Sequence, residues 1–433
     1  MNIIDFSLKL NGFPIKEAQN SLRKIQNIKA TEYNNYINKA KEDIVRFHLN
    51  NNGFYKSLCP NGFSSWECLP VLTKSDLQVP LEKRLSSGYS TKSVYVNKTS
   101  GSTGNPFYFA KDKFCHALTW AIIQNRFNWH SLYGKKQARF YGIPNEFIPK
   151  LKERTKDFFS NRYRFDVFDL SPSAFEKWVI EFEKKPFIYL NGYTTVILAF
   201  ANYLIDKSIV LKEICPSLKA CVVTSEMCFD EDKNVMKKAF GVPVINEYGA
   251  SELDLIAFQN TKNQWIINTE SLFVEILDSN NKVLPYGEEG KIVITSLYNK
   301  AHPFIRYEIG DIGTIQAIDP KTILLQKLVG RKEDLVHLPS GKTAPGLTFY
   351  YITKSVMKNT GSVKDIKAIQ TALNTFEIHY TANKALTDSE TKAIQEALYK
   401  YLEPNLNISF YKFEQLERSK SGKLKQFTSL ISS

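Results

Sequence analysis

The segment Thr99-Ser100-Gly101-Ser102-Thr103-Gly104-Asn105-Pro106 sets two glycines among four hydroxyl side chains, a composition suited to holding phosphate. Glycine lets a backbone turn with its N–H groups pointing inward, and Ser and Thr hydroxyls add donors for anionic oxygens. An extended run, Ser93 to Asn97, precedes the loop, and an apolar pattern beginning near Phe114 follows it, which predicts a strand–loop–helix phosphate cradle. It is not a Walker loop, because no Gly-Lys-Ser/Thr follows the glycines and Pro106 is followed by Phe107. An ordinary Ser/Thr/Gly turn is the competing reading.

Three later segments change the weight of the first. Asn246-Glu247-Tyr248-Gly249-Ala250-Ser251-Glu252 follows a short apolar strand, Val242 to Ile245. Pro303-Phe304-Ile305-Arg306-Tyr307-Glu308-Ile309-Gly310-Asp311 and Arg418-Ser419-Lys420-Ser421-Gly422-Lys423 come later. In this order and at these separations the four segments resemble the signature of the adenylate-forming superfamily of acyl-CoA ligases. The Pro303–Tyr307 phrase, the Gly330-Arg331-Lys332-Glu333-Asp334 string and the compact length are similar to its phenylacetate–CoA ligase and capsular-biosynthesis CapK branch. The resemblance covers about residues 90 to 433.

That resemblance implies ATP and Mg²⁺, with acyl-AMP formed from a small carboxylic acid and pyrophosphate released. The acyl group then passes to CoA by default, or to an amine on a sugar or glycan in the CapK manner. A carboxylate attacking the α-phosphate needs cations and donors around the polyphosphate rather than a general base. By the resemblance, Thr99, Ser100, Gly101, Ser102, Thr103 and Gly104 hold the β- and γ-phosphates. Family members often carry Lys after the loop proline, and Phe107 removes that contact. Tyr248, with Gly249, packs on adenine and Glu252 ligates Mg²⁺, a hard cation for which one carboxylate beside phosphate oxygens suffices. A Tyr-Gly turn with a solvated Glu is the bland alternative.

Thr224-Ser225-Glu226 is expected to flank the adenine, against a plain polar loop, and Asp311 to accept from both ribose hydroxyls, against a Gly-Asp turn. Arg331 is expected near the ribose or phosphates, with a salt bridge as its competitor. Lys423 carries adenylation by bridging the α-phosphate and the substrate carboxylate. Without the resemblance it reads as part of a solvated basic loop with Arg418, Lys420 and Lys425. Glu333 stands where the family has Asp or Lys at its hinge, about which a mobile C-terminal domain rotates between half-reactions. Gly341 and Lys342 face the acceptor or form a hairpin turn. Tyr141, Phe147, Asn191, Tyr193, Ala220 and Asn246 lie on segments that should wall the acyl pocket, whose Tyr and Phe faces suit an aryl or short apolar acid. His116, His130, His302, His337 and His379 show no metal or triad spacing.

The elements that position these residues follow from length and pattern. With 433 residues and 43% apolar content, the chain can build a large core and a smaller one. A net charge of +13 favours anionic small partners, and without an arginine-rich tract it argues against nucleic acid. Six cysteines without a C-x-x-C pair and an N-terminus without an apolar core segment predict reduced thiols in a cytoplasmic protein. The run Phe187 to Ile205 is interrupted by Asn191, Gly192, Thr194, Thr195 and Asn202. It therefore reads as strand, Gly turn and buried helix rather than a membrane span.

The predicted fold is α/β. Residues 1–90 form a helical layer; 91–330 form an adenylating core, doubly wound with a β-rich portion; 331–433 form a small α+β C-terminal domain. Predicted core strands are Arg139 to Ile143, Phe187 to Leu190, Ala220 to Thr224, Val242 to Ile245, Phe273 to Leu277 and Lys291 to Thr295. The rivals are a non-catalytic nucleotide- or glycan-binding scaffold and a fatty-acyl–protein synthetase that holds the acyl group on cysteine.

Overall fold

The computed structural model describes residues 3–99, 107–142, 147–331, 335–345, 349, 363–418 and 424–431. The chain divides into two compact units, Met1–Leu328 and Val329–Ser433.

In the larger unit the strands are β1 (Tyr95–Lys98), β2 (Tyr108–Lys111), β3 (Gln137–Phe140), β4 (Arg162–Arg164), β5 (Tyr189–Tyr193), β6 (Ala220–Thr224) and β7 (Val244–Ala250). They continue with β8 (Asp254–Gln259), β9 (Trp265–Ile267), β10 (Leu272–Leu277), β11 (Glu289–Ser296), β12 (Tyr307–Asp319) and β13 (Thr322–Arg331), which begins in the larger unit and ends in the smaller. Among the described residues, β3 to β13 form one sheet in the order β10-β11-β12-β13-β9-β8-β7-β6-β5-β3-β4. The β4-β3-β5-β6-β7 stretch is parallel, and pairing turns antiparallel at β7-β8. The fold is α/β, a doubly wound parallel part continued by a β-rich part.

Strand alternation explains how both faces are covered. Phe140, Leu190, Cys221, Val223 and Val244 face one core with Trp178 and Phe182 of the helix Pro172–Lys184 and Phe200 of the helix Thr194–Asp206. Tyr189, Ala220, Val222 and Ile245 face a second core with Leu118 and Ile122 of the helix Lys113–Asn128. Strands buried on both faces read as continuous apolar runs, which is why Ala220–Thr224 was legible to the residue.

Three local expectations are corrected. The Thr99–Pro106 loop does not join a strand to a helix. It joins the antiparallel arms β1 and β2, and the helix Lys113–Asn128 starts only after β2, capped by Asp112. Phe107 and Phe109 are buried and drive this short arm into the core. Gly192 is no turn but lies within β5, where a Cβ would sit 2.3 Å from the Phe140 carbonyl oxygen. The strand predicted over Val242 to Ile245 runs to Ala250, so Asn246 to Ala250 belong to β7 and not to a loop after it.

The smaller unit contains the hairpin β14 (Leu335–His337) and β15 (Thr343–Pro345), and the strands β16 (Val363–Ala372), β17 (Thr375–Ala382), β18 (Asn407–Phe413) and β19 (Phe427–Ser429). The last four form a sheet ordered β18-β17-β16-β19. The helix Asp388–Tyr401, started by a Thr387/Glu390 capping box, buries Ile394 and Leu398 against this unit's core. Gly341, with φ +78, turns the β14–β15 hairpin, so the turn reading describes its geometry. Among the described residues no helix is long and apolar enough to cross a membrane.

Candidate active site

The parallel pairing of β5, β6 and β7 ends side by side at Tyr193, Thr224 and Glu247, which are register partners. The carboxyl edge of such strands is where open α/β sheets bind ligands, because the connecting loops splay apart there.

On β7, Tyr248 is 8% exposed and its hydroxyl donates to Asp311 Oδ2 of β12 at 2.5 Å. Two residues that the sequence separates by 63 positions thus share one hydrogen bond. The Tyr248 ring meets Trp265 edge-on at 6.2 Å. Glu252 is 7% exposed, and its Oε1 accepts from Tyr307 Oη at 3.0 Å. Gly310, with φ +89, lies in β12 between Tyr307 and Asp311, where the pairing with β11 is irregular. A Cβ on Gly249 would lie 2.4 Å from the Asp254 carbonyl oxygen, and the register shifts between Tyr248 and Gly249. The bulge therefore needs glycine and re-aims the tyrosine beside it.

Thr224, Ser225 and Glu226 close the end of β6. Thr224 Oγ1 donates to Glu247 Oε1 at 3.0 Å, and Ser225 occupies the left-handed region at φ +69. Glu226 Oε2 accepts from the Thr195 amide at 2.8 Å and the Thr195 hydroxyl at 2.9 Å. It caps the helix Thr194–Asp206, which has no side-chain cap of its own. Burial raises the Glu247 carboxyl, against the Thr224 hydrogen bond and the Arg139 charge.

The phosphate-loop expectation falls mostly outside the described residues, since Ser100, Gly101, Ser102, Thr103 and Gly104 lie there with Asn105 and Pro106. The neck is described. The Thr99 amide donates to the Phe107 carbonyl at 2.9 Å, and the Phe107 amide donates to Thr99 Oγ1 at 3.2 Å. Arg84 holds the other arm by donating to the Tyr108 carbonyl at 2.7 Å while lying 5.1 Å over the Phe107 ring. Phe107 is thus an anchor of the hairpin, in the position where the resemblance leads one to look for Lys. Lys423 and Glu333 also lie outside the described residues, and Arg331 is described only as the last residue of β13.

Of the expected acyl-pocket residues, Tyr141 and Tyr193 do meet, with ring centroids 4.9 Å apart. Asn191 spends its amide on the sheet, accepting from Gln137 Nε2 at 2.7 Å and donating to the Val222 carbonyl at 3.2 Å. Asn246 Nδ2 donates to the Cys228 carbonyl at 3.4 Å, and Ala220 is buried in the helix-facing core. Phe147 opens the helix Phe147–Phe159. Sequence reasoning missed Tyr307 and Glu247, although both stand inside the quoted segments. Arg139 and Arg162, which no local pattern marks, are brought onto one face of the sheet by β3–β4 pairing.

The chain is 25% identical to the protein CapK of Staphylococcus aureus over 329 residues, 73% of this chain and 69% of that one. It is 28% identical over 126 residues to the phenylacetate-coenzyme A ligase of Aromatoleum evansii, and 23% identical over 202 residues to that of Pseudomonas putida. These two matches span 29% and 46% of their lengths. By these matches the chain is similar to members of the adenylate-forming superfamily. No family model matches it. The fold is similar to 2-hydroxyisobutyryl-CoA ligase in complex with 2-HIB-AMP, with a TM-score of 0.72 at 14% identity over 93% of this chain and 90% of that one. It is also similar to the amide bond synthetase McbA from Marinactinospora thermotolerans, with a TM-score of 0.53 at 12% identity over 77% and 69% of the two chains.

Proposed function

We propose that this protein is an ATP-dependent acyl-adenylating ligase. A carboxylate oxygen of the acid attacks the α-phosphorus of ATP, the bond to pyrophosphate breaks, and acyl-AMP forms. The Tyr248–Asp311 hydrogen bond carries this reading, because it joins the two resembling segments at the carboxyl edge of the parallel strands. With one carboxylate oxygen held by Tyr248, Asp311 is oriented to accept from ribose hydroxyls, while the Tyr248 ring supplies a flat face for the base.

Glu252 fits a magnesium role: it is a buried carboxylate fixed through one oxygen by Tyr307. Among the described residues no cluster of three or more His, Cys, Asp or Glu could hold a metal alone, so phosphate oxygens would complete the set. The ion would neutralise polyphosphate charge there. Lys423 is assigned to charge neutralisation at the α-phosphate by the resemblance, Arg331 to the ribose and phosphates, and Glu333 to the hinge of a mobile C-terminal domain. Residues 99–104 are assigned to the β- and γ-phosphates on the same ground.

The acceptor in the second step is CoA, as in the phenylacetate and 2-hydroxyisobutyryl ligases. An amine on a sugar or glycan is the second reading, favoured by the CapK match, which spans the larger share of this chain. The site of action is the cytoplasm, where ATP and CoA are supplied. The test is pyrophosphate release and acyl-AMP detection by mass spectrometry over a panel of carboxylic acids, followed by addition of CoA or amines. ATP binding without pyrophosphate release for any acid would leave a nucleotide-binding scaffold instead.

A further inference from the structure

One face of the parallel sheet carries guanidinium groups that the proposed chemistry does not use. In register, Arg162 of β4 pairs with Gln137 of β3 and Arg164 pairs with Arg139, so all four side chains share one face. Arg164 is already neutralised, with Nε 2.6 Å from Asp157 and Nη2 3.2 Å from Glu153. Arg139 and Arg162 form no ion pair among the described residues. Arg139 Nε is buried without a hydrogen-bond partner.

Arg139 stacks on Tyr141, its guanidinium carbon 4.0 Å from the ring centroid, and Tyr141 packs on Tyr193 at the end of β5. Stacking occupies a face of the guanidinium and leaves its in-plane N–H fork for an anion. Burial, followed by the neighbouring Arg139 charge, lowers Arg162 to about 10, against the opposing pull of Tyr189, Asp157 and Tyr141. Gln137 Oε1 is also buried without a partner and asks for a donor, which a hydroxyl or a water beside the anion supplies.

Two guanidinium groups that form no ion pair among the described residues, one with its Nε buried and unpartnered, beside an aromatic wall do not suit an aryl or aliphatic tail. We infer that the acid adenylated by this protein carries a second anionic group, such as a distal carboxylate, bound by Arg139 and Arg162 against Tyr141. This rests on the adenylation reading and narrows its substrate class, replacing the expectation of an aryl or short apolar acid.

The experiment compares dicarboxylic acids with monocarboxylic acids of matched length in pyrophosphate release, for the wild type and for Arg139→Gln, Arg162→Gln and Arg139→Lys. The wild type is expected to prefer the diacids. The Gln variants should lose roughly 100-fold or more in kcat/KM for the diacid with little change for the monoacid, and Arg139→Lys should keep part of the preference. A parallel arm reads thermal shift with each acid alone. Diacids should stabilise the wild type and not the Gln variants, with circular dichroism confirming that each variant folds.

Pyrophosphate release with monoacids only would overturn the second-anion inference and leave adenylation standing. Diacid stabilisation without pyrophosphate release would support the anion site and count against adenylation. No stabilisation and no turnover with any diacid would overturn the inference.

Discussion

Tyr248 and Asp311 show how far single residues could be read. The resemblance assigned them to a base and a ribose, but a tyrosine hydroxyl bonded to the aspartate at 2.5 Å is a tertiary fact. Removing a hydrogen bond to a charged group costs about 1.5 to 3 kcal/mol, or about 10- to 150-fold in affinity. Asp311→Ala should therefore raise the KM for ATP by about that range while leaving the KM for the acid nearly unchanged. Tyr248→Phe keeps the ring and should lose less, roughly 10-fold. Equal loss toward ATP and acid in steady-state kinetics would remove Asp311 from the ribose. For Glu252→Gln, an amide oxygen is the weaker ligand for a hard cation, so the magnesium concentration for half-maximal pyrophosphate release should rise. An unchanged magnesium titration would return Glu252 to a packing role with Tyr307. The Glu226 carboxylate caps a helix 31 positions earlier in the chain. Nothing local could have shown that, just as nothing local marks Arg139 and Arg162.

Element by element, apolar periodicity served best where strands are buried on both faces and worst where a few residues are extended between loops. Ala220–Thr224 was legible because every residue in it is buried. The four-residue arm β2, which turns the expected strand–loop–helix into a hairpin, was not: its burial pattern begins with an exposed tyrosine, and four residues carry too little period. The extension of β7 to Ala250 was hidden by glycine, which weakens strand patterns in general but here permits a bulge. Gly249→Ala tests that element. Its Cβ would meet a backbone oxygen of β8 at 2.4 Å, and backbone cannot yield as a flexible side chain does. Forcing extra volume into such a contact costs about 1 to 3 kcal/mol, so the urea midpoint should fall and Tyr248 should shift with the strand. A midpoint equal to that of the wild type would show that the bulge can relax and that glycine is not required there.

Across the whole molecule, buried histidines are distributed unevenly between the two compact units, Met1–Leu328 and Val329–Ser433. The histidines that are buried among the described residues, His48, His116 and His302, all belong to the larger one. His48 Nε2 faces the Asn299 carbonyl at 2.9 Å and its Nδ1 faces the Ser86 hydroxyl at 3.2 Å. His116 Nε2 accepts from Trp120 at 3.1 Å, and its ring stacks on Tyr95 at 3.9 Å. These partners suit neutral imidazoles, and burial lowers both His48 and His116 to about 4 from an ordinary 6.5. Because the folded-state values are depressed, the unfolded chain binds more protons between those limits. The stabilisation is therefore complete above about pH 6.5 and is lost as pH falls toward about 4. A gap of that size is worth roughly 3 kcal/mol per histidine once both forms are protonated. Scanning calorimetry between about pH 7.5 and about pH 5 should show the transition of the larger unit moving down in temperature more than that of the smaller one. His48→Gln, which removes the titrating ring, should flatten part of that dependence whatever it does to stability at neutral pH. Parallel movement of both transitions, or an unaltered slope in the variant, would place the acid sensitivity in the carboxylates instead.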